Sequence, residues 1–196
     1  PGNFVDRRSD GSKTEFTDEN YQNEIKKVEE KLIPLLNICK EHHTALRIGV
    51  NHGSLSGRIM SRYGDTPEGM VESAMEFLRI CVQENFKDVV ISLKSSNTRV
   101  MVQANRLMVT KMLDEGMDFP LHLGVTEAGE GEDGRIKSAV GIGTLLADGI
   151  GDTIRVSLTE PAEDEIPVAI KLVDYFSDRI NHPPIAPVLP IPVNFF

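Results

Sequence analysis

Leu46-Arg-Ile-Gly-Val-Asn-His-Gly-Ser54 is an apolar run of strand length that ends in polar residues and a glycine. The same order, each time followed by a helical pattern, recurs in Asp88-Val-Val-Ile-Ser-Leu-Lys-Ser-Ser-Asn97, in Leu121-His-Leu-Gly-Val-Thr-Glu-Ala-Gly129 and in Asp152-Thr-Ile-Arg-Val-Ser-Leu-Thr159. A strand–helix unit that repeats after about 30 to 40 residues is typical of parallel α/β folds. Open α/β sheets and (β/α)8 barrels both place their active sites at the carboxyl ends of the strands. We therefore expect the functional residues of this protein at these four strand ends.

The rest of the sequence completes four strand–helix units behind one leading helix. Pro34 is expected to kink or split that first helix, because proline cannot donate the helical hydrogen bond. The predicted helices lie at about 17–43, 66–85, 98–116, 135–149 and 162–176, and the predicted strands at about 46–50, 88–94, 121–126 and 152–158. A closed (β/α)8 barrel needs eight such units and about 250 residues. The 196-residue chain is therefore predicted to be a partial TIM barrel of about four units, its second half, with a doubly wound four-stranded sheet as the alternative.

The composition changes near residue 181, where prolines become frequent. Such a segment is typical of a semi-rigid connector rather than of a packed core. We expect residues 1–180 to form the partial-barrel, substrate-binding domain. We expect residues 181–196 to be a linker toward a further domain.

The overall charge limits the partners that this protein can have. A net charge of −9 and a pI near 5.1 argue against nucleic acid and against an anionic membrane surface as binding partners. No apolar run approaches the length that a membrane-spanning helix needs. Cys39 and Cys81 both fall on apolar stripes of predicted helices, so we expect two buried packing thiols rather than a disulfide or a metal pair.

Three cationic side chains are predicted to meet on the inner side of the sheet. Side chains alternate along a strand, so the apolar positions of the first, second and last strands mark the side that faces the helices. Arg47, Lys94 and Arg155 then take the opposite side, together with Asn51 and Ser157. A buried charge is costly unless it is paired or liganded, and these cations therefore predict a site for phosphate or diphosphate. The alternative is a buried ion-pair network with carboxylates such as Glu127, Asp65 and Glu160.

Glu127 is the only obvious acid–base candidate among the strand ends. If it points inward, alternation also turns Leu123 and Val125 inward, unless a bulge near Gly124 resets the register. Two histidines lie at or near the same ends: His52 is a candidate for a substrate hydrogen bond, and His122 is expected to be a satisfied core residue. The glycines of 129–134 predict a tight strand-to-helix turn rather than a phosphate loop, and Gly141 and Gly143 predict close packing of a helix.

As a set, the four strand ends resemble the 4-hydroxy-3-methylbut-2-enyl diphosphate synthase (IspG/GcpE) family of the non-mevalonate isoprenoid pathway. The resemblance covers about residues 1–175, including the opening Pro1-Gly2-Asn3, and it is strongest in His122–Gly129 and Gly151–Thr159. It implies a (β/α)8 barrel that binds 2-C-methyl-D-erythritol 2,4-cyclodiphosphate. It also implies a separate C-terminal domain with a 4Fe–4S cluster, which takes electrons from ferredoxin or flavodoxin for the reductive opening of the ring and the loss of water.

The resemblance also implies roles for particular residues. Arg47, Lys94, Arg155 and Ser157 would hold the diphosphate, and Asn51 would assist. Glu127 would approach the reacting hydroxyl as a proton donor or an orienting group.

Neither Cys39 nor Cys81 matches a cluster ligand of the family, so no cofactor is expected in this chain. We expect an internal fragment without turnover of its own, from a cytoplasmic bacterial enzyme or a plastid-stroma enzyme of a plant. The exposed edges of a half barrel further predict a homodimer. Two alternatives to this family remain at this point: a dihydropteroate-synthase-like barrel that acts on a phosphorylated or pterin substrate, and a non-catalytic anion-binding module.

Overall fold

The computed structural model describes residues 16–177, which form helices and parallel strands in strict alternation apart from one short extra helix. Residues 1–15 and the linker expected over 181–196 lie outside the described residues. The elements in chain order are α1 (Asp18–Glu41), β1 (Leu46–Asn51), α2 (Gly57–Tyr63), α3 (Pro67–Gln83), β2 (Val89–Lys94), α4 (Thr98–Asp114), β3 (His122–Leu123), α5 (Gly131–Ala147), β4 (Thr153–Ile154) and α6 (Ala162–Ser177).

The four strands form one wall in the order β1-β2-β3-β4. β1 and β2 pair in parallel, with Asn51 opposite Lys94, and β3 pairs in parallel with β4. Parallel bridges from Ile91 to Leu121 and from Ser95 to Val125 join the two pairs. Helices α3, α4, α5 and α6 pack side by side in one layer. Strands that follow one another in chain order beneath a single helix layer are the arrangement of a barrel wall, so the predicted partial TIM barrel is confirmed and the doubly wound alternative is wrong.

The last two strands are shorter than expected. Strands were predicted at 121–126 and 152–158, but the observed strands β3 and β4 have only two residues each. The backbone nevertheless keeps the register further on, since Thr126 N–H donates to Ser95 O at 3.2 Å and Arg155 N–H donates to Leu123 O at 2.9 Å.

Local sequence signals set most helix ends. The Thr17 hydroxyl accepts from Asn20 N–H at 3.2 Å, and the Thr66 hydroxyl accepts from Gly69 N–H at 3.1 Å, so both residues act as N-caps. Pro34 does not split α1, because the helix buries a continuous apolar stripe that holds it against its neighbours. α5 begins at Gly131, four residues before the expected Arg135, and the short helix α2 was not expected from the sequence.

The core lies between the outer face of the strands and the helices. Ile48, Val50, Ile91 and Leu93 are buried on that face, which confirms the predicted alternation of β1 and β2. Both cysteines are free and buried in the helix packing, as expected.

Two further features concern the helices. A Cβ atom on Gly141 would lie 2.6 Å from Val125 Cγ2, which confirms that this glycine allows α5 to approach the third strand closely.

No helix within residues 16–177 combines the length and the apolar character that crossing a membrane requires.

Candidate anion-binding site

Arg47, Lys94 and Arg155 lie close enough on the inner face of the wall to act on one another. Burial, followed by the positive charges of Arg47 and Arg155, lowers the pKa of the Lys94 ammonium. Lys94 ends β2 and is half-buried, whereas Arg47 and Arg155 are exposed. Three strands therefore bring their cations into one electrostatic cluster, which we call the cationic cluster, as alternation predicted.

A glycine makes room for the lysine of this cluster. A Cβ atom on Gly124 would lie 3.2 Å from Lys94 Cε and 3.4 Å from Lys94 Nζ. The side chain of Lys94 thus crosses from β2 to the neighbouring segment and lies against the bare backbone there. Any larger residue at position 124 would compete with the Lys94 side chain for the same space.

The carboxylates that might have neutralised the cluster are engaged elsewhere. The Asp65 carboxylate accepts from Gly53 N–H at 3.0 Å and lies 3.6 Å from the ring of His52. Glu160 accepts two hydrogen bonds from Arg135, at 2.5 and 2.7 Å, and this pairing lowers the pKa of Glu160. These two acids therefore shape the turns after β1 and before α5 and do not pair with the cationic cluster.

Arg155 alone has a carboxylate nearby. Its Nε lies 3.5 Å from Glu165 Oε2, while the other oxygen of Glu165 accepts from Leu158 N–H at 3.0 Å. The Arg155 side chain is 59% exposed, so this long contact contributes little. Within residues 16–177, Arg47 and Lys94 have no ion pair at all, which leaves their charge available to an anion.

The other sequence-predicted residues flank the cluster. Asn51 is exposed and stands opposite Lys94 in the strand register. Ser157 is partly buried two residues after Arg155, on the same side of the chain. Both therefore lie beside the cations whose ligand they are expected to share.

Glu127 has an unusual backbone conformation. Its φ of 52° lies in the left-handed region, where a residue with a Cβ atom is strained. His43 and Asn85 share this feature, but they follow helix ends, where left-handed residues are common. Glu127 follows a strand instead, and such strain is found preferentially at functional sites. In the segment that contains β3, Leu123 and Val125 are buried toward the helices, so the alternate positions His122, Gly124 and Thr126 lie on the inner face. The left-handed turn at Glu127 begins immediately after Thr126.

His122 is not the satisfied core residue that the sequence suggested. Its Nδ1 lies 2.8 Å from Thr153 Oγ1, but its Nε2 is buried without a hydrogen-bond partner among the described residues. Burial, followed by the charges of Lys94, Arg47 and Arg155, lowers its pKa. The prediction failed because it treated His122 as core, whereas the pairing of β3 with β4 places it on the inner face. The sequence did contain a signal for this position: His122 lies two residues before Gly124 and therefore on the same side of the strand.

Comparison with known proteins adds a direct finding. Residues 1–170 match the profile of the family described as "GcpE TIM-barrel domain". The chain belongs to the GcpE TIM-barrel family. This membership agrees with the partial barrel seen in residues 16–177.

Named relatives of the GcpE family align over most of this chain. A "4-hydroxy-3-methylbut-2-en-1-yl diphosphate synthase (flavodoxin)" of Bacteroides fragilis is 70% identical over 93% of it. A "4-hydroxy-3-methylbut-2-en-1-yl diphosphate synthase (ferredoxin), chloroplastic" of Oryza sativa subsp. japonica is 62% identical over 85% of it. The chain spans 29% of the length of the first relative and 22% of the second.

The described part of this GcpE-family chain does not fit an iron–sulfur cluster. Residues 16–177 contain no group of three or more metal-ligating side chains that could hold a metal ion. Cys39 and Cys81 lie in the helix packing of α1 and α3, away from the strand ends. Burial, and then the neighbouring Cys39, raise the pKa of the Cys81 thiol to about 11, which disfavours the thiolate that a cluster requires.

Proposed function

We propose that this chain is the part of a 4-hydroxy-3-methylbut-2-enyl diphosphate synthase that holds the diphosphate of 2-C-methyl-D-erythritol 2,4-cyclodiphosphate. The complete enzyme would open this ring reductively to 4-hydroxy-3-methylbut-2-enyl diphosphate. The observation that carries the proposal is the cationic cluster on the inner face of the wall, in which Arg47 and Lys94 have no carboxylate partner within residues 16–177. The names of the relatives support the same reaction.

Each proposed ligand contributes in a way that follows from its position. Lys94 is held at the end of β2 with its charge disfavoured by burial, and an anion would relieve that cost. Arg155 would exchange its long contact with Glu165 for a charge-assisted hydrogen bond to a phosphate oxygen. Ser157 and Asn51 would add neutral hydrogen bonds at the edge of the anion.

Glu127 is the proposed acid–base residue. It is exposed at the mouth of the site, and the left-handed backbone sets its side chain at the turn after the third segment. In this position it would donate a proton to the departing hydroxyl of the substrate or orient that hydroxyl.

The electrons for this reaction come from outside this chain in our proposal. A 4Fe–4S cluster in a separate domain of the complete enzyme would supply them, and flavodoxin or ferredoxin would recharge the cluster. The residues described here would bind and orient the substrate. The 196-residue chain alone is therefore predicted to have no turnover.

Further expectations about the complete protein remain proposals. We place the enzyme in the bacterial cytoplasm, or in the plastid stroma if it comes from a plant. We assign residues 1–180 to the barrel domain and 181–196 to a linker.

A homodimer also remains a proposal. The outer edge of β1 carries a small, mainly apolar cavity of about 100 Å³, lined by Leu32, Leu35, Leu46, Arg47, Ile48, Gly49 and Phe77. An unpaired strand edge of this kind invites pairing with further strands. Sedimentation equilibrium of the 196-residue chain tests the dimer, and a monomer at high concentration would contradict it.

Arg155→Ala tests the diphosphate site. In the complete protein it is expected to weaken binding of inorganic pyrophosphate, measured by calorimetry, by roughly 1.5–3 kcal/mol, or about 10- to 150-fold. Arg106→Ala is the matched control, because Arg106 pairs with Asp148 on the helix layer and should leave the affinity unchanged. Unaltered pyrophosphate affinity together with altered stability in Arg155→Ala would instead support a scaffold role for these cations.

A further inference from the structure

The inner face of the wall carries two buried polar atoms without partners beside the cationic cluster. Neither Ser92 Oγ nor His122 Nε2 has a hydrogen bond among the described residues. The parallel bridge from Ile91 to Leu121 places these two residues side by side on neighbouring strands. Buried polar groups in folded proteins nearly always have a partner. Two buried polar atoms without partners, side by side on neighbouring strands, therefore mark a position where a further hydrogen-bonding group is needed.

Within residues 16–177, the charges that act on the pKa of His122 are all positive, and the nearby Asp152 carboxylate accepts from Leu121 N–H at 2.8 Å. Lys94 acts on it from β2, Arg47 from β1 and Arg155 from the chain after Ile154, and each of these charges disfavours the imidazolium form. Thr153 on β4 contacts Nδ1 at 2.8 Å and carries no charge. Without an anion, burial and these three cations therefore favour the neutral form of the His122 ring.

We propose that His122 is a further diphosphate-binding residue, which takes up a proton from solvent when the cationic cluster holds the anion and then donates from Nε2–H toward it. This inference rests on the proposed function, because it requires that a diphosphate binds at Arg47, Lys94 and Arg155. The hydrogen bond at Nδ1 orients the ring, and the second nitrogen is left to respond to the ligand.

The reason is electrostatic. A diphosphate carries at least two negative charges near neutral pH, and these offset the cations that now act on His122 at close range. Because the ring is partly buried, solvent screens the change weakly. The protonated ring then has two N–H donors, one for Thr153 and one for the anion, whereas the neutral ring has a single donor.

The pH dependence follows from linkage. If anion binding raises the proton affinity of His122, protonation raises the affinity for the anion by the same factor. Anion affinity should therefore rise as the pH falls through the window between the anion-bound and the anion-free pKa of His122. The lower end of that window is the anion-free pKa of His122. It lies below the ordinary imidazole pKa of about 6.5, because burial and the nearby cations lower it.

Calorimetry on the complete protein tests the proposal with inorganic pyrophosphate as the ligand. Titrations at a pH of about 6.5 in buffers of different ionisation enthalpy give the number of protons taken up on binding. His122→Asn is expected to lower this number by a measurable fraction of one proton relative to the wild type. His43→Asn is the matched control, since His43 is exposed after α1 with a φ of 50° that asparagine adopts readily, and it should leave the number unchanged.

The outcomes separate the two proposals. Pyrophosphate binding with equal proton uptake in the wild type and in His122→Asn would overturn the role of His122 and leave the diphosphate site standing. Absence of pyrophosphate binding in the wild type would overturn both. If His122→Asn does not fold, the imidazole Cε1–H resonance of His122 in the wild type is titrated instead, and its midpoint should rise on addition of pyrophosphate; an unmoved midpoint contradicts the proposal.

Discussion

Lys94 and Gly124 occupy complementary positions on neighbouring segments of the wall: the lysine side chain lies against a residue of the adjacent backbone that has no side chain. A Cβ atom on Gly124 would lie 3.2 Å from Lys94 Cε and 3.1 Å from the backbone oxygen of Arg155. Both distances are shorter than an ordinary carbon contact. The glycine therefore sets where the ammonium group of the site can lie, although Gly124 itself offers no ligand.

Gly124→Ala is expected to displace Lys94 and weaken pyrophosphate binding by about 3- to 10-fold, while the free energy of unfolding changes by no more than about 1–3 kcal/mol. The added methyl group meets a flexible side chain on one side and backbone on the other, so the lysine moves first. Calorimetry and urea denaturation of the complete protein measure the two quantities. Gly49→Ala is the control, because a Cβ there has no described atom within 4 Å. Equal pyrophosphate affinity in the two variants would contradict this account.

Glu127→Gly is expected to separate stability from activity. Glycine adopts a φ of 52° without the strain that a Cβ atom causes, so the thermal midpoint should stay the same or rise. Turnover of the complete enzyme should fall by about 100-fold or more, because the proposed proton donor is lost.

Glu132→Gly provides the contrast for that prediction. Glu132 is also exposed but lies in the first turn of α5, where glycine costs about 1 kcal/mol of helix stability. The two variants should therefore shift the thermal midpoint in different ways. A similar decrease of the thermal midpoint in Glu127→Gly and Glu132→Gly would show that the backbone at Glu127 stores no strain.

Gly141→Ala should destabilise the protein by about 1–3 kcal/mol, because the new Cβ would lie 2.6 Å from Val125 Cγ2 in a packed interface. Gly143→Ala on the same helix should cost less or be neutral. Its Cβ would lie 3.4 Å from the Phe176 ring and 3.6 Å from Leu172 Cδ1, both in side chains, and alanine favours the helix over glycine. Chemical denaturation measures both, and a larger loss for Gly143→Ala would refute the assigned packing of α5.

Cys39 and Cys81 should resist thiol reagents in the folded 196-residue chain. Cys81 is fully buried and its pKa is raised to about 11, so the reactive thiolate is a minor form near pH 8. Ellman's reagent should label both thiols rapidly in urea and slowly without it. Rapid labelling under native conditions would mean that the packing of α1 against α3 opens readily.

The sequence was sufficient for features that depend on local periodicity. Strand–helix alternation, the helix starts near residues 17 and 66, and the inward side of Arg47, Lys94 and Arg155 all follow from signals along one segment. The role of the glycines around Gly141 could also be anticipated, since a glycine inside a helix usually marks a close approach.

The features that the sequence did not reveal depend on contacts between distant segments. Pro34 leaves α1 in one piece because the buried stripe of that helix outweighs the local cost of proline, and no local rule measures that stripe. Likewise, Asp65 and Glu160 look like partners for the cationic cluster until their bonds to Gly53 and Arg135 are known.

The sequence by itself determined the class of fold and the residues that carry charge into the site, because alternation along a strand is a property of the backbone. Only the tertiary structure decided which of those charges lack an ion pair within residues 16–177, and that His122 faces them with a nitrogen that has no hydrogen bond in the same range. The physical reason is that pairing, burial and proton affinity depend on distances across strands, and β3 and β4 acquire their register only when the wall assembles.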